Sequence, residues 1–235
     1  MKKEKIYLLP GLMNNKLLWE RINPILEDKY ELIYLPIPLT KDFDDAVKYL
    51  DNLIKDEKIN LLGFSLGAYL ASYYTIKRSE NINRVFLVAG TPSSLSEIEI
   101  KKREIFLKQM DNFGSINLST KKIKLLLEDE NQEDKYLIKL IKNMFDSFSL
   151  EEYKLQLSTT FQRKDIYEEL LSINIPINFI YSKKDRLLNL KSMEKIDNRF
   201  KNVVLKPLEG SSHMIPLEKA ETLSKEIICW MNRKA

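Results

Sequence analysis

The sequence predicts an α/β fold with a mainly parallel six-stranded sheet, helices on both faces of the sheet, and a helical insertion. Short apolar segments of strand length alternate with amphipathic helical patterns, which is typical of βαβ units and a parallel sheet. Between residues 96 and 171 this alternation stops, and only helical patterns remain. Five of the six glycines follow closely after predicted strand ends: Gly11, Gly63, Gly67, Gly90 and Gly210. These glycines mark the carboxyl edge of the sheet, where open parallel sheets bind their ligands.

The first four strands are predicted within the first 95 residues. Apolar runs without surface alternation predict buried strands at 6–9, 32–35, 59–62 and 84–89. Apolar residues at helical spacing predict helices at about 15–26, 44–55 and 66–74. Proline or glycine follows the first, second and fourth strands, and these residues end the apolar runs.

The alternation resumes after the insertion. Two further strands are predicted at 175–181 and 203–205, with helices near 191–196 and from Pro216 onward. We therefore predict a core domain formed by residues 1–95 and 172–235, with residues 96–171 inserted as a helical cap. The apolar helix faces of this cap either pack on the core or roof a pocket, and the sequence leaves both possibilities open.

The composition is that of a soluble globular protein, with 44% hydrophobic and 31% charged residues. The net charge of +4 is spread along the chain without a nucleic-acid motif, so no nucleic-acid partner is expected. No apolar segment approaches the roughly 18 residues of a membrane span, and no cleavage site follows the N-terminal apolar run, so a cytoplasmic protein is predicted. Cys229 is the only cysteine, which excludes an internal disulfide, and its apolar neighbours predict a buried packing residue.

The turn after the third strand carries the pattern Gly-x-Ser-x-Gly, from Gly63 to Gly67. Glycines two residues on either side of a serine let the strand and the following helix approach closely, while the serine adopts a strained backbone conformation. Such a turn exposes the serine hydroxyl at the edge of the sheet. We therefore predict that Ser65 is a nucleophile.

A serine hydroxyl needs a neighbouring base, and His213 is the only histidine of the chain. It follows the last predicted strand, at the same edge of the sheet as Ser65. The base in turn needs a carboxylate, for which Asp185 is best placed because it follows the fifth strand at this edge. Asp165 is the rival, but its position predicts the N-cap of a helix.

The oxyanion of a tetrahedral intermediate needs backbone N–H donors. The residue after the nucleophile, Leu66, offers one at a helix N-terminus, where the helix dipole helps. The second donor is expected in the loop after the first strand, from either Leu12 or Met13.

Four segments of the chain resemble the landmarks of the α/β-hydrolase superfamily: Pro10-Gly11-Leu12, Gly63-Phe64-Ser65-Leu66-Gly67, Lys184-Asp185-Arg186 and Ser212-His213-Met214. The resemblance covers nearly the whole chain. It implies Ser65 as nucleophile, Asp185 as acid, His213 as base, the amides of Leu12 and Leu66 as oxyanion hole, and a cap at the insertion. Many members have His-Gly where this chain has Pro10-Gly11. Small helix-capped esterases, including those acting on carrier-protein-bound acyl methyl esters, are the most similar kind.

We therefore predict a serine hydrolase that cleaves a carboxylic ester or thioester through an acyl-enzyme, without a cofactor or metal. Two alternatives remain open: a carbon–carbon bond hydrolase or lyase with the same triad, and a ligand-binding protein that keeps the triad without catalysis. The expected partner is a small ester or thioester, including an acyl group bound to a carrier protein. Basic residues of the cap are candidates for docking such a carrier, although a solvated face is the simpler interpretation: Lys101, Lys102, Arg103, Lys121, Lys122 and Lys124.

Overall fold

Six parallel strands form the central sheet of the computed structural model, which describes residues 3–113, 118–196 and 200–233. The strands are β1 (Glu4–Leu9), β2 (Tyr30–Tyr34), β3 (Ile59–Phe64), β4 (Ile82–Val88), β5 (Ile177–Ser182) and β6 (Val203–Leu208). Their order in the sheet is β2-β1-β3-β4-β5-β6, and every neighbouring pair is parallel. Each residue of β3 is buried, because packed residues cover both faces of this strand. The predicted parallel six-stranded sheet is thus confirmed.

Helices connect these strands. They are α1 (Asn23–Leu26), α2 (Phe43–Leu53), α3 (Leu66–Lys77), α4 (Glu97–Phe113), α5 (Thr120–Lys124), α6 (Lys135–Asp146), α7 (Leu150–Thr159), α8 (Tyr167–Leu171), α9 (Leu190–Met193), α10 (Ile215–Glu218) and α11 (Ala220–Asn232). Short 3₁₀ turns cover Lys16–Trp19, Ser79–Asn81, Asp129–Asn131 and Thr160–Gln162. None of the helices within the described ranges is long and apolar enough to cross a membrane.

The side chains of the buried strands supply two apolar clusters, one on each face of the sheet. Leu61 and Phe179 belong to the cluster that includes α2 and α3, whereas their chain neighbours Leu62 and Ile180 belong to the cluster that includes α11. Successive side chains of a strand point to opposite faces, so an apolar residue at every position requires cover on both faces. The predicted placement of helices on both faces follows from this pattern.

Two predicted helices are in fact broken. The helix predicted at 15–26 is a 3₁₀ turn capped by the side chain of Asn15, followed by the separate α1, in whose first turn Pro24 lies. Proline has no N–H to continue a helical hydrogen-bond ladder, so it begins a new helix here. The helix predicted from Pro216 onward is divided at Lys219, which leaves the helical conformation with φ −126° and ψ 38° between α10 and α11.

The prediction that Cys229 is buried is wrong, because its side chain is exposed. Helix α11 buries one face, formed by Leu223, Ser224, Ile227, Trp230 and Met231. Cys229 comes two residues after Ile227 and so lies about 200° further around the helix axis. An apolar run within a helix therefore does not bury each of its members.

The segment from 96 to 171 contains helices α4 to α8 and no strand within its described part, which excludes residues 114–117 and with them Gly114. Ile123, Leu137 and Ile141 join the apolar cluster on the α11 face of the sheet. Other apolar residues of the segment form a separate small cluster with Met13: Met110, Phe145, Tyr153 and Leu157. These helix faces thus pack on residues of the predicted core, while the division into core and cap stays a prediction.

Candidate active site

Ser65 lies between β3 and α3 in a conformation that L residues rarely adopt, with φ 52° and ψ −113°. Such a strained conformation costs on the order of 1–3 kcal/mol and persists only where the surroundings enforce it. The surroundings here are backbone atoms: a Cβ on Gly63 would lie 2.2 Å from the carbonyl oxygen of Gly67, and a Cβ on Gly67 would lie 2.2 Å from that of Pro10. The two glycines therefore permit the close contact between strand and helix that holds Ser65 in place.

The structure brings Ser65, His213 and Asp185 together at the carboxyl edge of the sheet. The Nε2 atom of His213 lies 3.1 Å from the Oγ atom of Ser65, and its Nδ1 atom lies 2.8 Å from the Oδ2 atom of Asp185. His213 and Asp185 are buried, with exposed fractions of 5% and 4%. The ring of Phe64 packs beside the His213 ring, with the two ring centroids 5.2 Å apart.

The hydrogen bonds determine which tautomer of His213 fits. An ionised carboxylate only accepts hydrogen bonds, so the Nδ1 atom facing Asp185 must carry the ring proton. The Nε2 atom then presents its lone pair to the Ser65 hydroxyl. This arrangement is the one in which a serine hydroxyl can donate its proton to a base.

Asp185 is held from its other side by the chain that follows it. Its Oδ1 atom accepts hydrogen bonds from the N–H groups of Leu187, at 2.8 Å, and Leu188, at 3.1 Å. These bonds leave Oδ2 to face His213. The carboxylate is thus oriented by the tight turn after β5 before it contacts the imidazole.

Asp165, the rival carboxylate, does not contact His213 and is not a helix N-cap either. Helix α8 begins after Ile166, and no side chain caps it. The Asp165 carboxylate instead accepts a hydrogen bond from the N–H of Ser94, at 2.9 Å, and pairs with Lys195 at 3.4 Å. It joins the two ends of the helical segment, a contact between residues 71 positions apart that sequence spacing could not predict.

The two residues predicted to donate backbone N–H groups, Leu12 and Leu66, line the same cavity as Ser65. Leu66 is the first residue of α3, where helix N–H groups have no partner within the helix. Leu12 lines the same cavity as Ser65 and Leu66. The N–H of Met13, by contrast, donates to the Oε1 atom of the buried Gln156 at 3.0 Å. This occupied N–H favours Leu12 over Met13 as the second donor.

Gln156 was not predicted from the sequence. It lies on α7 within the helical segment and reaches Met13, which is 143 positions earlier in the chain and has a φ of 55°. In the sequence it is one polar residue in a charged helix, so no signal distinguished it.

A second anchor holds the loop that carries His213. The N–H of His213 donates to the carbonyl oxygen of Leu126 at 2.9 Å. The buried Glu128 accepts hydrogen bonds from the N–H of Ser211, at 2.6 Å, and from its hydroxyl, at 3.0 Å. Gly210, with a φ of 100°, lies so close that an added Cβ would be 2.1 Å from a Glu128 oxygen. The Glu128 carboxylate of the helical segment therefore holds the loop that carries His213. This contact was not predicted from the sequence.

A cavity of about 590 Å³ opens over Ser65 and His213. Its floor is formed by the turn at Ser65 together with Leu12, Gly90 and Met214, and its roof by side chains of α4, α5 and α7. Tyr153 and Leu157 belong to this roof. Within the part of the chain that the structure describes, no group of three or more His, Cys, Asp and Glu side chains is arranged to hold a metal ion. The site thus offers a hydroxyl, an imidazole and a carboxylate beside a partly open cavity.

A family model described as alpha/beta hydrolase fold matches residues 36–220 of the chain. That span includes Ser65, Asp185 and His213, and it covers well over half of the sequence.

Individual proteins are similar at low sequence identity. An uncharacterised hydrolase, YugF, of Bacillus subtilis (strain 168) is 19% identical over 96% of this chain and 89% of its own length. The pimeloyl-[acyl-carrier protein] methyl ester esterase of Legionella pneumophila (strain Lens) is 24% identical over 84% of this chain and 82% of its own. The structure of a thermophilic esterase from Thermogutta terrifontis superimposes with a TM-score of 0.82 at 17% identity, covering 98% of this chain and 90% of that one.

Proposed function

This chain belongs to the α/β-hydrolase family, and from that premise we propose that it is a serine hydrolase which cleaves a carboxylic ester or thioester through an acyl-enzyme. The superfamily predicted from the sequence is thereby confirmed, and the names of the relatives support an ester-acting hydrolase. The observation that carries the proposal is the line of two hydrogen bonds from Ser65 through His213 to Asp185, at the floor of a partly open cavity.

In the first half-reaction, Oγ of Ser65 attacks the carbonyl carbon of the substrate while Nε2 of His213 takes the hydroxyl proton. The carbonyl oxygen becomes an oxyanion, which the N–H groups of Leu12 and Leu66 stabilise. Asp185 stabilises the imidazolium that forms and keeps the ring oriented. The intermediate then collapses, the imidazolium gives its proton to the leaving alcohol or thiol, and an ester on Ser65 remains.

In the second half-reaction a water molecule replaces the leaving group. Nε2 of His213 takes a proton from this water, whose oxygen attacks the acyl carbon, and returns the proton to Oγ of Ser65 when the intermediate collapses. The products are a carboxylic acid and the regenerated enzyme. No cofactor or metal takes part in the proposed sequence.

A carrier-bound acyl group is one substrate form that the comparison supports, because the esterase from Legionella pneumophila is named for a methyl ester on an acyl carrier protein. The cavity volume of about 590 Å³ lies within the ordinary range of small-molecule sites. We therefore propose a small acyl substrate, presented either free or on a carrier.

The test compares the wild type with Ser65→Ala, using p-nitrophenyl butyrate for turnover and a fluorophosphonate for covalent labelling. We expect the wild type to hydrolyse the ester and to be labelled on Ser65, and the Ser65→Ala variant to do neither while it keeps its melting temperature. Ser79→Ala, which changes a serine outside the cavity, is the matched control and retains both. Ester turnover that persists in Ser65→Ala contradicts the mechanism.

The same experiment separates the alternative functions. A protein that binds ligands without catalysis neither turns over the ester nor labels on Ser65. Labelling of Ser65 without turnover of any ester or thioester instead indicates that the activated serine serves other chemistry, such as cleavage of a carbon–carbon bond.

A further inference from the structure

The roof of the cavity is rich in positive charge. Among the described residues that line the cavity, the permanently charged ones are Glu99, Lys102, Arg103, Lys122, Arg163 and Arg186. Five of these six are cations. The reacting groups on the floor are uncharged apart from the Asp185–His213 pair, so the proposed ester hydrolysis does not itself require these cations.

Two of the charged residues have polar partners of their own. The Glu99 carboxylate accepts hydrogen bonds from the N–H and hydroxyl of Ser96, at 2.9 and 2.8 Å, at the start of α4. Arg186 pairs with Asp129 and donates to the carbonyl oxygen of Leu127. Glu99 also attracts Arg103 and Arg163, so the described lining residues offer one carboxylate to the remaining cations.

Arg163 and Lys122 are positioned by neutral groups. The Arg163 guanidinium donates to the carbonyl oxygens of Ser93 and Thr91, both at 2.9 Å, and lies 4.5 Å over the ring of Tyr69. The Lys122 ammonium lies 3.9 Å over the ring of Phe106. Carbonyl dipoles and aromatic rings orient a cation but do not cancel its charge. These side chains are thus fixed in place, and the described lining residues supply only the Glu99 carboxylate against five cations.

Arg103 lies on α4 and lines the same cavity. Within 3–113, 118–196 and 200–233 no carboxylate forms an ion pair with Arg103, Lys122 or Arg163, although Glu99 attracts both arginines from a longer distance. Burial lowers the pKa of Arg103, and burial together with the charge of Arg103 lowers the pKa of Arg163. Guanidinium groups stay protonated at neutral pH, so the two side chains repel each other across the cavity wall. An anion placed between them would relieve this repulsion.

We propose that Arg103, Lys122 and Arg163, which line this cavity, bind an anionic oxygen group of the substrate. The inference rests on the proposed function only in so far as the ligand is the ester that Ser65 attacks. A guanidinium group can donate two parallel hydrogen bonds to a carboxylate or a phosphate. Because the same cavity is lined by Ser65 at its floor, the anion sits at the end of the substrate away from the scissile bond.

This assignment separates the basic residues of the segment into two groups. Lys101, Lys121 and Lys124 do not line the cavity, whereas Lys102, Arg103 and Lys122 do, although Lys102 and Lys122 are also exposed to solvent. Arg103 and Lys122 belong to the proposed anion site. The basic residues outside the cavity form a solvated face.

The first test uses two methyl esters of equal chain length, monomethyl adipate and methyl hexanoate, which differ by one carboxylate. We expect the wild type to prefer monomethyl adipate in kcat/KM, and the preference to fall by about 10- to 100-fold in Arg103→Gln, as expected for a charge-assisted hydrogen bond. Arg103→Lys should restore part of the preference because it restores the charge. Lys101→Gln, the exposed neighbour, keeps the wild-type preference.

The anionic group has two chemical sources, a carboxylate on the acyl chain and the phosphate of a carrier's prosthetic arm. Butyryl-phosphopantetheine and butyryl-pantetheine, which differ by that phosphate, form the second pair of substrates. A preference for the phosphorylated thioester that is lost in Arg103→Gln assigns the site to the leaving group. A preference confined to monomethyl adipate assigns it to the acyl chain. Either outcome supports the anion site.

A binding measurement makes the inference independent of turnover. Calorimetric titration of Ser65→Ala with monomethyl adipate and phosphopantetheine is expected to show binding that Ser65→Ala/Arg103→Gln loses and Ser65→Ala/Lys101→Gln retains. If the wild type hydrolyses none of the esters, the proposed function fails while this titration still decides the anion site. Equal affinity for charged and neutral partners of each pair, in the presence of normal ester turnover, overturns the inference.

Discussion

The carboxylate of Glu128 accepts a hydrogen bond of 2.6 Å from the backbone N–H of Ser211, two residues before His213. Its other oxygen pairs with Lys219 at 2.7 Å. Glu128 belongs to the helical segment, whereas Ser211 and Lys219 flank His213 in the C-terminal part of the chain. The position of the proposed base is therefore set jointly by two parts of the sequence that are 83 residues apart.

We expect Glu128→Gln to destabilise the protein by about 1.5–3 kcal/mol at neutral pH, because it removes a buried charge-assisted contact. Burial alone would raise the pKa of Glu128, but Lys219 and the hydrogen bonds from Ser211 outweigh it and lower the pKa. A carboxyl whose pKa is lowered by folding stabilises the fold above its unfolded pKa and loses that effect as the pH falls. The difference in unfolding free energy between wild type and variant should therefore shrink as the pH falls below about 4.5.

Urea unfolding across this pH range measures the effect. Glu130→Gln, which changes an exposed carboxylate in the same short turn, is the control and should match the wild type at each pH. Glu218 changes the unfolding free energy with pH in the opposite direction to Glu128, because burial raises the pKa of Glu218. A constant difference for Glu128→Gln down to low pH would contradict the assigned role.

Asparagine variants of the two candidate aspartates, Asp185 and Asp165, should differ sharply in kcat. We expect Asp185→Asn to lower kcat by roughly 10³- to 10⁴-fold, because an amide in place of the carboxylate favours the wrong tautomer of His213. Asp165→Asn should change kcat little, since its contacts are with Ser94 and Lys195. Steady-state kinetics on one ester, with melting temperatures as a check on folding, gives the ranking. The reverse ranking would exchange the two roles.

Because His213 is the only histidine of the chain, a reagent that modifies imidazole reports on one site. Diethylpyrocarbonate should abolish ester turnover in proportion to the formation of a single carbethoxyimidazole, and hydroxylamine should restore it. Prior labelling of Ser65 with a fluorophosphonate should protect the ring, since His213 is reached through the cavity that Ser65 lines. Turnover that survives complete modification of the ring excludes His213 as the base.

The contact between Gln156 and Met13 predicts a positioning effect on the oxyanion donors. Gln156→Leu leaves the N–H of Met13 without its acceptor, which frees the loop that carries Leu12. We expect kcat to fall by about tenfold, with a smaller change in KM, because the donors act mainly on the transition state. Gln162→Leu, an exposed glutamine a few residues later, serves as the control. Equal losses in both variants would show that Gln156 has no special role.

Patterns among residues that are close in sequence explain most of the correctly predicted strands, helices and turns. Strand and helix types followed from apolar spacing, and the turn at Ser65 followed from the two glycines, because both depend on neighbours in sequence. Helix breaks were missed where a single residue decides them, as Pro24 and Lys219 do. Cys229 was misplaced because an apolar run was taken to be wholly buried, whereas a helix buries only one face.

The sequence by itself determined the parallel sheet, the strained serine turn and the candidates Ser65, Asp185 and His213, since the carboxyl ends of parallel strands must meet at one edge. Only the tertiary structure decided which carboxylate reaches His213, that Gln156 and Glu128 hold the two loops beside it, and that Arg103 faces the cavity while Lys101 faces solvent. Each of these depends on how parts of the chain that are far apart in sequence pack together. Their geometry is fixed by packing, which residue spacing does not encode.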